Sequence, residues 1–235
     1  MNEAPQRRYE VVGVKIETPQ VTTLRILCNG KRPHFIPGQF ITVYFPDMQT
    51  PEGKAYSLSS TLAEPTLAIT VKALGTFSNR LCSMRVGDFF IGSDPYGFFY
   101  SEKEKTPLVM LAIGIGVAPF RSLIQHALSK EVERELVLCY GNRTAPEVIF
   151  KEEFEEWSDR YPNFCVTHFI SREDLPPPVE RGRMTAARVL ASIKASPDAE
   201  FMLCGSIAFV RDMWRGLREL GIREERIYTE AFFTN

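Results

Sequence analysis

Two closely spaced glycines, at the point where an apolar run gives way to a helix pattern, are the most chemically suggestive feature of this chain. Leu108-Val109-Met110-Leu111-Ala112-Ile113 runs directly into Gly114-Ile115-Gly116-Val117-Ala118-Pro119. Glycine lets a backbone approach a ligand closely, and a helix start offers unpaired N–H donors with a partial positive charge, so such a turn can bind phosphate. A tight turn that binds nothing is the other reading, because the third glycine of the usual dinucleotide fingerprint is missing. Pro119 suits the first helical turn, where a missing N–H does no harm.

A second junction of this kind is Cys204-Gly205-Ser206, which ends another apolar run and opens another helix pattern. It should therefore reach the same edge of a sheet. A lone buried cysteine usually behaves as a small hydrophobe, but its place beside a glycine at a strand's carboxyl end makes Cys204 a candidate contact. Arg143, Ser171, Arg172 and Arg183 also follow or flank predicted strands. Singly they read as solvated surface residues; as a group they could hold a pyrophosphate or an adenosine 2′-phosphate. Nearer the start, Lys54-Ala55-Tyr56-Ser57-Leu58-Ser59-Ser60 sets a cation, a ring and hydroxyls on one strand, which alone implies no ligand.

The elements that must position these residues fall into two grammars. From Tyr9 to Tyr100 the chain is a series of short β-rich runs: 9–18, 21–28, 39–45, 55–60, 67–72 and 88–93. Pro37-Gly38, Pro46-Asp47 and Val86-Gly87-Asp88 punctuate them, which is the pattern of a β-barrel or sandwich. One short helix is expected over 78–83, with Ser78 as its cap. After the charged segment 101–105, read as a linker, buried strands alternate with helices. Strands are expected at 108–113, 135–140, 165–170 and 200–204, and helices at 119–129, 150–160, 185–195 and 207–220. That alternation implies a parallel sheet with ligands at the carboxyl ends of its strands. Residues 1–100 and 106–235 are thus expected as an antiparallel β-barrel domain and an α/β nucleotide-binding domain, in keeping with a 235-residue chain and typical domains of about 100 to 130 residues.

Composition narrows the function classes. The chain is 44% hydrophobic, and no apolar run approaches the roughly 20 residues that span a bilayer, so a globular protein without a membrane span is expected. Residues 1–8 are polar and lack the pattern of a secretory signal, which points to the cytoplasm. Five widely spaced cysteines suggest neither a disulfide framework nor a metal or iron–sulfur ligand set, so no metal site is expected. Any redox chemistry must come from a bound organic cofactor. A formal net charge of −1 and the lack of a basic run give no support for nucleic-acid binding.

Pro37-Gly38-Gln39, Lys54-Ala55-Tyr56-Ser57, Gly75-Thr76-Phe77-Ser78 and Asp94-Pro95-Tyr96-Gly97-Phe98-Phe99 occur in that order in the first half. The second half adds the Gly114 to Pro119 turn, Tyr140-Gly141-Asn142-Arg143-Thr144, Phe150-Lys151-Glu152-Glu153, Cys204-Gly205, and Glu230 with Phe232 near the end. Taken in series, these motifs resemble the ferredoxin–NADP⁺ reductase family across essentially the whole chain. That family carries P-G-Q, R-x-Y-S, G-x-x-S and G-P-x-G-x-F in a flavin-binding barrel, then G-x-G-x-A-P, a C-G pair and a near-terminal acid and aromatic residue.

The resemblance implies bound FAD, with NADPH or NADH as hydride donor. On it, Tyr56 packs against the isoalloxazine and Ser57 lies near the reactive N5, while Lys54 and Ala55 on the same strand also bind the flavin cofactor. Thr70, Val71 and the turn Gly75, Thr76, Phe77 and Ser78 hold the ribityl and pyrophosphate portion. Gly114, Gly116 and Pro119 position the nicotinamide dinucleotide, Cys204 beside Gly205 contacts the nicotinamide, Glu230 sits by the reaction centre, and Phe232 covers the flavin or competes with nicotinamide for its place. Ser57, Cys204 and Glu230 are the residues expected to tune hydride transfer, which requires the two rings to stack.

Three departures bear on detail. Lys54 stands where the family has arginine, Asp94 replaces a glycine, and Phe233, Thr234 and Asn235 follow Phe232, so a plant-type terminal tyrosine is not expected. Lysine keeps the charge but loses the bidentate fork. The expected electron acceptors are a ferredoxin, a flavodoxin or an oxygenase component. A flavin reductase, an oxygenase reductase and an FAD-binding electron-delivery subunit that uses no pyridine nucleotide are the alternatives. Arg172 and Arg183 lean the nucleotide choice slightly toward NADPH.

Overall fold

The computed structural model describes residues 6–130, 134–176, 178–193 and 198–232. Part of the Pro176 to Pro178 spacer, the end of the helix expected over 185–195, and the three residues after Phe232 lie outside the described residues. So does the start of the polar segment 1–8. Two units emerge. The first comprises residues up to 100 together with 118–126, and the second comprises 101–117 and 127–234.

In the first unit the strands are β1 (Gln6–Thr18), β2 (Val21–Cys28), β3 (Phe40–Tyr44), β4 (Lys54–Ser57), β5 (Leu67–Lys72) and β6 (Phe89–Ser93). They pair antiparallel in the order β4-β3-β6-β1-β2-β5. The two edges then meet: Leu58, just past β4, bridges Ile69 of β5, and the Ser59 N–H donates to the Ala68 carbonyl at 2.9 Å. This closes the sheet into a barrel and removes exposed edges. Tyr9, Val11, Leu24, Ile26, Ile41, Val43, Leu58 and Ile69 fill its interior. Gly38 is dictated by this packing, since its φ is +93° and a Cβ there would lie 2.0 Å from the Phe99 carbonyl oxygen.

The short helix α1 (Thr76–Cys82) starts earlier than the sequence suggests, with Gly75 as its cap. Ser78, expected as the cap, sits inside the first turn. Its Oγ accepts from the Leu74 N–H at 2.9 Å and the Gly75 N–H at 3.1 Å, so it serves the helix start from within.

The second unit contains a parallel sheet of β7 (Leu108–Ile113), β8 (Leu136–Asn142), β9 (Phe164–Ile170), β10 (Glu180–Arg181), β11 (Glu200–Ser206) and β12 (Ile227–Phe232), ordered β10-β9-β8-β7-β11-β12. Helix α2 (Ala118–Leu128) leaves β7 through a 3₁₀ turn at Gly114–Val117; α3 (Lys151–Arg160), α4 (Ala186–Ser192) and α5 (Ile207–Glu219) follow. Thr185 caps α4 and Ser206 caps α5, each hydroxyl accepting a backbone N–H. The near-continuous apolar runs of β7, β8 and β11 are buried almost throughout, as strands of a covered parallel sheet must be. On one face Val109, Leu111, Val137, Cys139, Phe201 and Leu203 pack with Ala186 and Val189 of α4 and Val210, Met213 and Leu217 of α5.

The sequence reading gave no element for β10 or β12. Two residues carry no periodicity, and β12 is an edge strand whose residues are all at least partly exposed, so neither shows an apolar run.

At the amino ends of the strands, Glu200 is fully buried as the first residue of β11. Its carboxylate accepts from Ser101 Oγ, from Tyr228 OH at 3.0 Å, and from Lys103 Nζ at 2.9 Å, with Arg134 at 3.5 Å. Arg134 in turn donates to the Thr106 carbonyl. Burial alone would raise the Glu200 pKa, but the hydrogen bonds from Ser101, Lys103 and Tyr228 outweigh it and hold the carboxyl below its ordinary value. A depressed folded pKa contributes stability that is complete above the unfolded value of about 4.3 and is lost as pH falls through the folded value. Glu200→Gln leaves the buried Arg134 without its counter-charge, and urea denaturation at neutral pH should show a loss of about 3 kcal/mol. The variant's deficit should shrink on acidification below about pH 4; a deficit that stays constant down to that range would refute the role given to the charge.

Candidate functional site

The strand order of the second unit locates its binding edge. Successive strands run one way from β7 through β8, β9 and β10, and the other way through β11 and β12, so the direction reverses between β7 and β11. In open parallel sheets a crevice forms at the carboxyl ends of the strands where this reversal occurs. The two glycine junctions singled out in the sequence are the carboxyl ends of these two strands.

They touch backbone to backbone. A Cβ on Gly116 would stand 2.3 Å from the Cys204 carbonyl oxygen and 2.8 Å from Gly205 Cα, and one on Gly205 would stand 2.6 Å from Ile113 Cγ1. No side chain fits at either position. Gly114 differs: its φ is +50°, and no atom lies within 4 Å of where a Cβ would be. That conformation favours glycine, and the space beside it is open. Pro119 is the second residue of α2 and is buried, as its place in the first turn predicts.

Strand register brings the other expected residues alongside. Cys204 pairs with Glu230 and Ser206 with Phe232, so Cys204, Gly205, Glu230 and Phe232 share the ends of β11 and β12. Cys204 is fully buried, and burial, with the nearby Glu230 charge, pushes its thiol well above the ordinary value. It is a neutral thiol and not a thiolate nucleophile. Glu230 and Phe232 are half-buried.

Arg143, Ser171 and Arg172 are gathered because the β8–β9 pairing continues past the strands. The Ser171 N–H donates to the Asn142 carbonyl at 3.1 Å, and the Arg172 N–H to the Arg143 carbonyl at 2.8 Å. Arg183 follows β10, and Gly182 before it donates to the Ile170 carbonyl at 2.7 Å. All four residues therefore lie at the carboxyl end of the sheet. The guanidinium groups of Arg143, Arg172 and Arg183 are exposed and make no ion pair with a described residue.

The sequence reading assigned no role to a buried polar set on the same edge. Tyr140 is fully buried and donates to the Gly114 carbonyl at 3.1 Å. Across the ladder it faces His168, whose ring nitrogens are buried without hydrogen-bond partners; burial and the Lys151 charge lower the His168 pKa to about 4, so it is neutral at pH 7. Asn142, 8% exposed, lies next to the phenol, yet neither carboxamide atom completes a hydrogen bond of ordinary geometry. Polar residues at alternate positions of otherwise apolar strands are the signal that could have found them.

In the first unit, the expected flavin strand and turn come together through Phe77. Its ring, 3% exposed, stacks with Tyr56 at 6.4 Å and 20°, packs on Phe45 at 4.8 Å, and has Lys54 Nζ 5.8 Å from its centre. Lys54, Tyr56 and the Gly75 to Ser78 turn thus form one group. Lys54 and Ala55 are exposed, Tyr56 is half-buried and Ser57 is buried. Gly75 and Thr76 are exposed, and no atom lies within 4 Å of a Cβ position at Gly75.

Thr70 and Val71 lie on the adjoining strand β5. Both side chains are buried, and Thr70 Oγ1 is engaged with Thr23 Oγ1 at 2.9 Å and Ser59 Oγ at 2.7 Å, so the hydroxyl serves the barrel interior. Just after β4, Arg121 of α2 donates to the Ser59 carbonyl at 2.7 Å and pairs with Glu64 at 3.0 Å, fixing the chain that leaves Ser57. Among the described residues no cluster of three or more His, Cys, Asp or Glu has metal-site geometry. No helix of the described residues is long and apolar enough to cross a membrane.

Known proteins resemble this chain in sequence and fold. Residues 110–214 match the oxidoreductase NAD-binding domain family. The chain is 29% identical, over 97% of its length, to the flavohemoprotein of Bordetella pertussis, of which it covers 61%. It is 28% identical, over 84% of its length, to the toluate 1,2-dioxygenase electron transfer component of Pseudomonas putida, of which it covers 59%. The chain thus spans about three fifths of the length of these curated relatives. A ferredoxin NADP⁺ reductase from Neisseria gonorrhoeae with bound FAD and NADP superimposes with a TM-score of 0.81 at 24% identity, covering 98% of this chain and 100% of that one. On the matched NAD-binding residues, the near full-length likeness and the barrel-plus-parallel-sheet fold, the chain is similar to ferredoxin–NADP⁺ reductase-like proteins and carries an oxidoreductase NAD-binding domain largely in its second unit.

Proposed function

We propose that this protein is a flavoprotein reductase that takes a hydride from NADPH or NADH into bound FAD and passes electrons singly to a protein acceptor. The observation that carries the reading is the contact of Gly116 with the Cys204 carbonyl at the switch point, with open space left beside Gly114. Two backbones can lie this close only without side chains, and what they leave is a cradle at a helix start suited to a dinucleotide phosphate. A bound flavin supplies the hydride acceptor and the conversion from two-electron to one-electron transfer.

The chain's own residues bind and orient. Tyr56, backed by Phe77, offers an aromatic surface for the isoalloxazine, and Lys54 and the exposed Gly75–Thr76 turn offer a charge and a close backbone approach to the FAD phosphates. Ser57 is proposed near the reactive flavin nitrogen, with Ser78 shaping the turn and Thr70 and Val71 contributing through backbone. Cys204 is proposed to touch the nicotinamide as a neutral, non-ionising neighbour, with Glu230 beside it and Phe232 covering the flavin. Arg143, Ser171, Arg172 and Arg183 are proposed to grip the adenosine end. The five cysteines among these elements are all free thiols, which supports a reducing compartment such as the cytoplasm.

The acceptor is proposed to be a ferredoxin, a flavodoxin or an oxygenase component; the last is favoured by the likeness to a dioxygenase electron transfer component. Flavin reduction with a diffusing flavin is a second reading, favoured by Lys54, since an ammonium cannot make the two-pronged contact of a guanidinium.

Protein purified with a flavin absorption band that bleaches on anaerobic addition of NADPH or NADH is the expected result. Colourless protein that reduces added flavin supports the second reading, and a band unchanged by either nucleotide refutes hydride transfer. Cys204→Ala should slow flavin reduction about tenfold to a hundredfold by loosening nicotinamide placement, with flavin content preserved. Because its thiol is held neutral, the wild-type rate should show no Cys204 ionisation between about pH 7 and 9, where an ordinary thiol titrates; rapid mixing across that range tests both points. Replacing Arg172 and Arg183 together by Ala should raise KM for NADPH about tenfold and leave NADH unaffected, as loss of charge-assisted contacts to a 2′-phosphate requires. Equal effects on the two nucleotides would remove these arginines from the specificity site.

A further inference from the structure

We infer that Tyr140 is a positioning residue for the nucleotide turn, its hydroxyl holding the Gly114 carbonyl so that the turn is formed before any ligand arrives. The inference rests on the reading of that turn as a dinucleotide site. It begins with a misfit: β8 is buried along its whole length, and a tyrosine at its fifth position brings a hydroxyl into a place where Phe or Leu would pack with no polar group to satisfy. The hydroxyl meets that requirement on Gly114, donating to its carbonyl oxygen at 3.1 Å.

Gly114 needs such a partner. At φ +50° with nothing within 4 Å of its Cβ position, no side chain packs there to hold the conformation with which the 3₁₀ turn begins, and glycine is nearly as stable on the other side of the map. Gly116, two residues on, is already locked by contact with the Cys204 carbonyl. The turn, a 3₁₀ helix with its own backbone bonding, is therefore further held at Gly116 by close packing and at the Gly114 carbonyl by a hydrogen bond from Tyr140. Without that bond the first half of the turn is held less firmly, and a ligand must supply more of the ordering itself.

The surroundings keep the phenol in place. Ala112 of β7 and His168 of β9 flank Tyr140 in register, and the His168 ring lies 6.0 Å from the phenol ring. His168 is neutral and Lys151 is the charge that acts on it. On its own strand Asn142 adjoins the hydroxyl, and Ile149 presents its backbone there. Burial pushes the phenol far above its ordinary range, so it remains a donor at every working pH.

The test is Tyr140→Phe in the flavin-loaded protein, titrated with NADP⁺ and NAD⁺, and followed by amide hydrogen exchange over residues 114–118. Loss of one hydrogen bond should raise the Kd of both nucleotides about fivefold to tenfold. Exchange in the turn should quicken even without nucleotide, while kcat at saturation and the flavin spectrum stay within about twofold. Gly114→Ala should weaken nucleotide binding too, and the double variant should lose less than the two single losses combined, because both act through one turn. Unchanged exchange with unchanged Kd overturns the inference, as does a fall in kcat with no change in KM. Wild-type protein that binds neither nucleotide overturns instead the reading on which it rests, and the exchange result then judges the turn alone.

Discussion

The close approach of Gly116 to the Cys204 carbonyl is the constraint on which the rest of the parallel-sheet unit depends. It brings the ends of β7 and β11 together at the one place where strand order reverses, and it forbids side chains at both glycine junctions. Everything else at that edge follows from register. Once β11 is fixed, β12 must place Glu230 beside Cys204 and Phe232 beside Ser206, because parallel pairing leaves no freedom to choose other neighbours.

Buried polar groups divide the labour between the two ends of the sheet. At the amino ends, Glu200 joins Ser101, Lys103 and Tyr228 in a fully satisfied cluster that ties the start of β11 to the segment entering β7 and to β12. At the carboxyl ends, Tyr140 uses its single hydroxyl on Gly114, and Asn142 and His168 keep polar atoms without ordinary hydrogen bonds. Full satisfaction stabilises a fold; incomplete satisfaction beside a glycine turn is the mark of an edge shaped for something other than stability.

The barrel solves its positioning problem with rings. Phe77 is the anchor, pressing α1 onto the barrel through Phe45 and stacking with Tyr56, so the strand of Tyr56 and the Gly75 to Ser78 turn share one support. Arg121, reaching from α2 to the Ser59 carbonyl and Glu64, fixes the same strand's exit by charge-assisted hydrogen bonds. A lysine at position 54 sits above Phe77 as a point charge, without the planar fork that would restrict its orientation.

The sequence by itself determined the change from barrel to alternating α/β architecture. Period-two runs broken by Pro-Gly turns and long apolar runs followed by helices are local patterns, and local patterns are legible. It also determined the glycine junctions, since glycine at a strand-to-helix turn answers a backbone need that does not depend on distant residues. Tertiary structure alone decided that Ser78 works from inside α1, that the Thr70 hydroxyl turns into the barrel toward Thr23 and Ser59, and that β12 completes the sheet. These outcomes depend on which strand lies beside which, and strand neighbours are set by long-range pairing. The same holds for Tyr140: its place in a buried strand was readable, but its partner Gly114 lies in the turn that follows the next strand over, and only the β7–β8 register brings the two together.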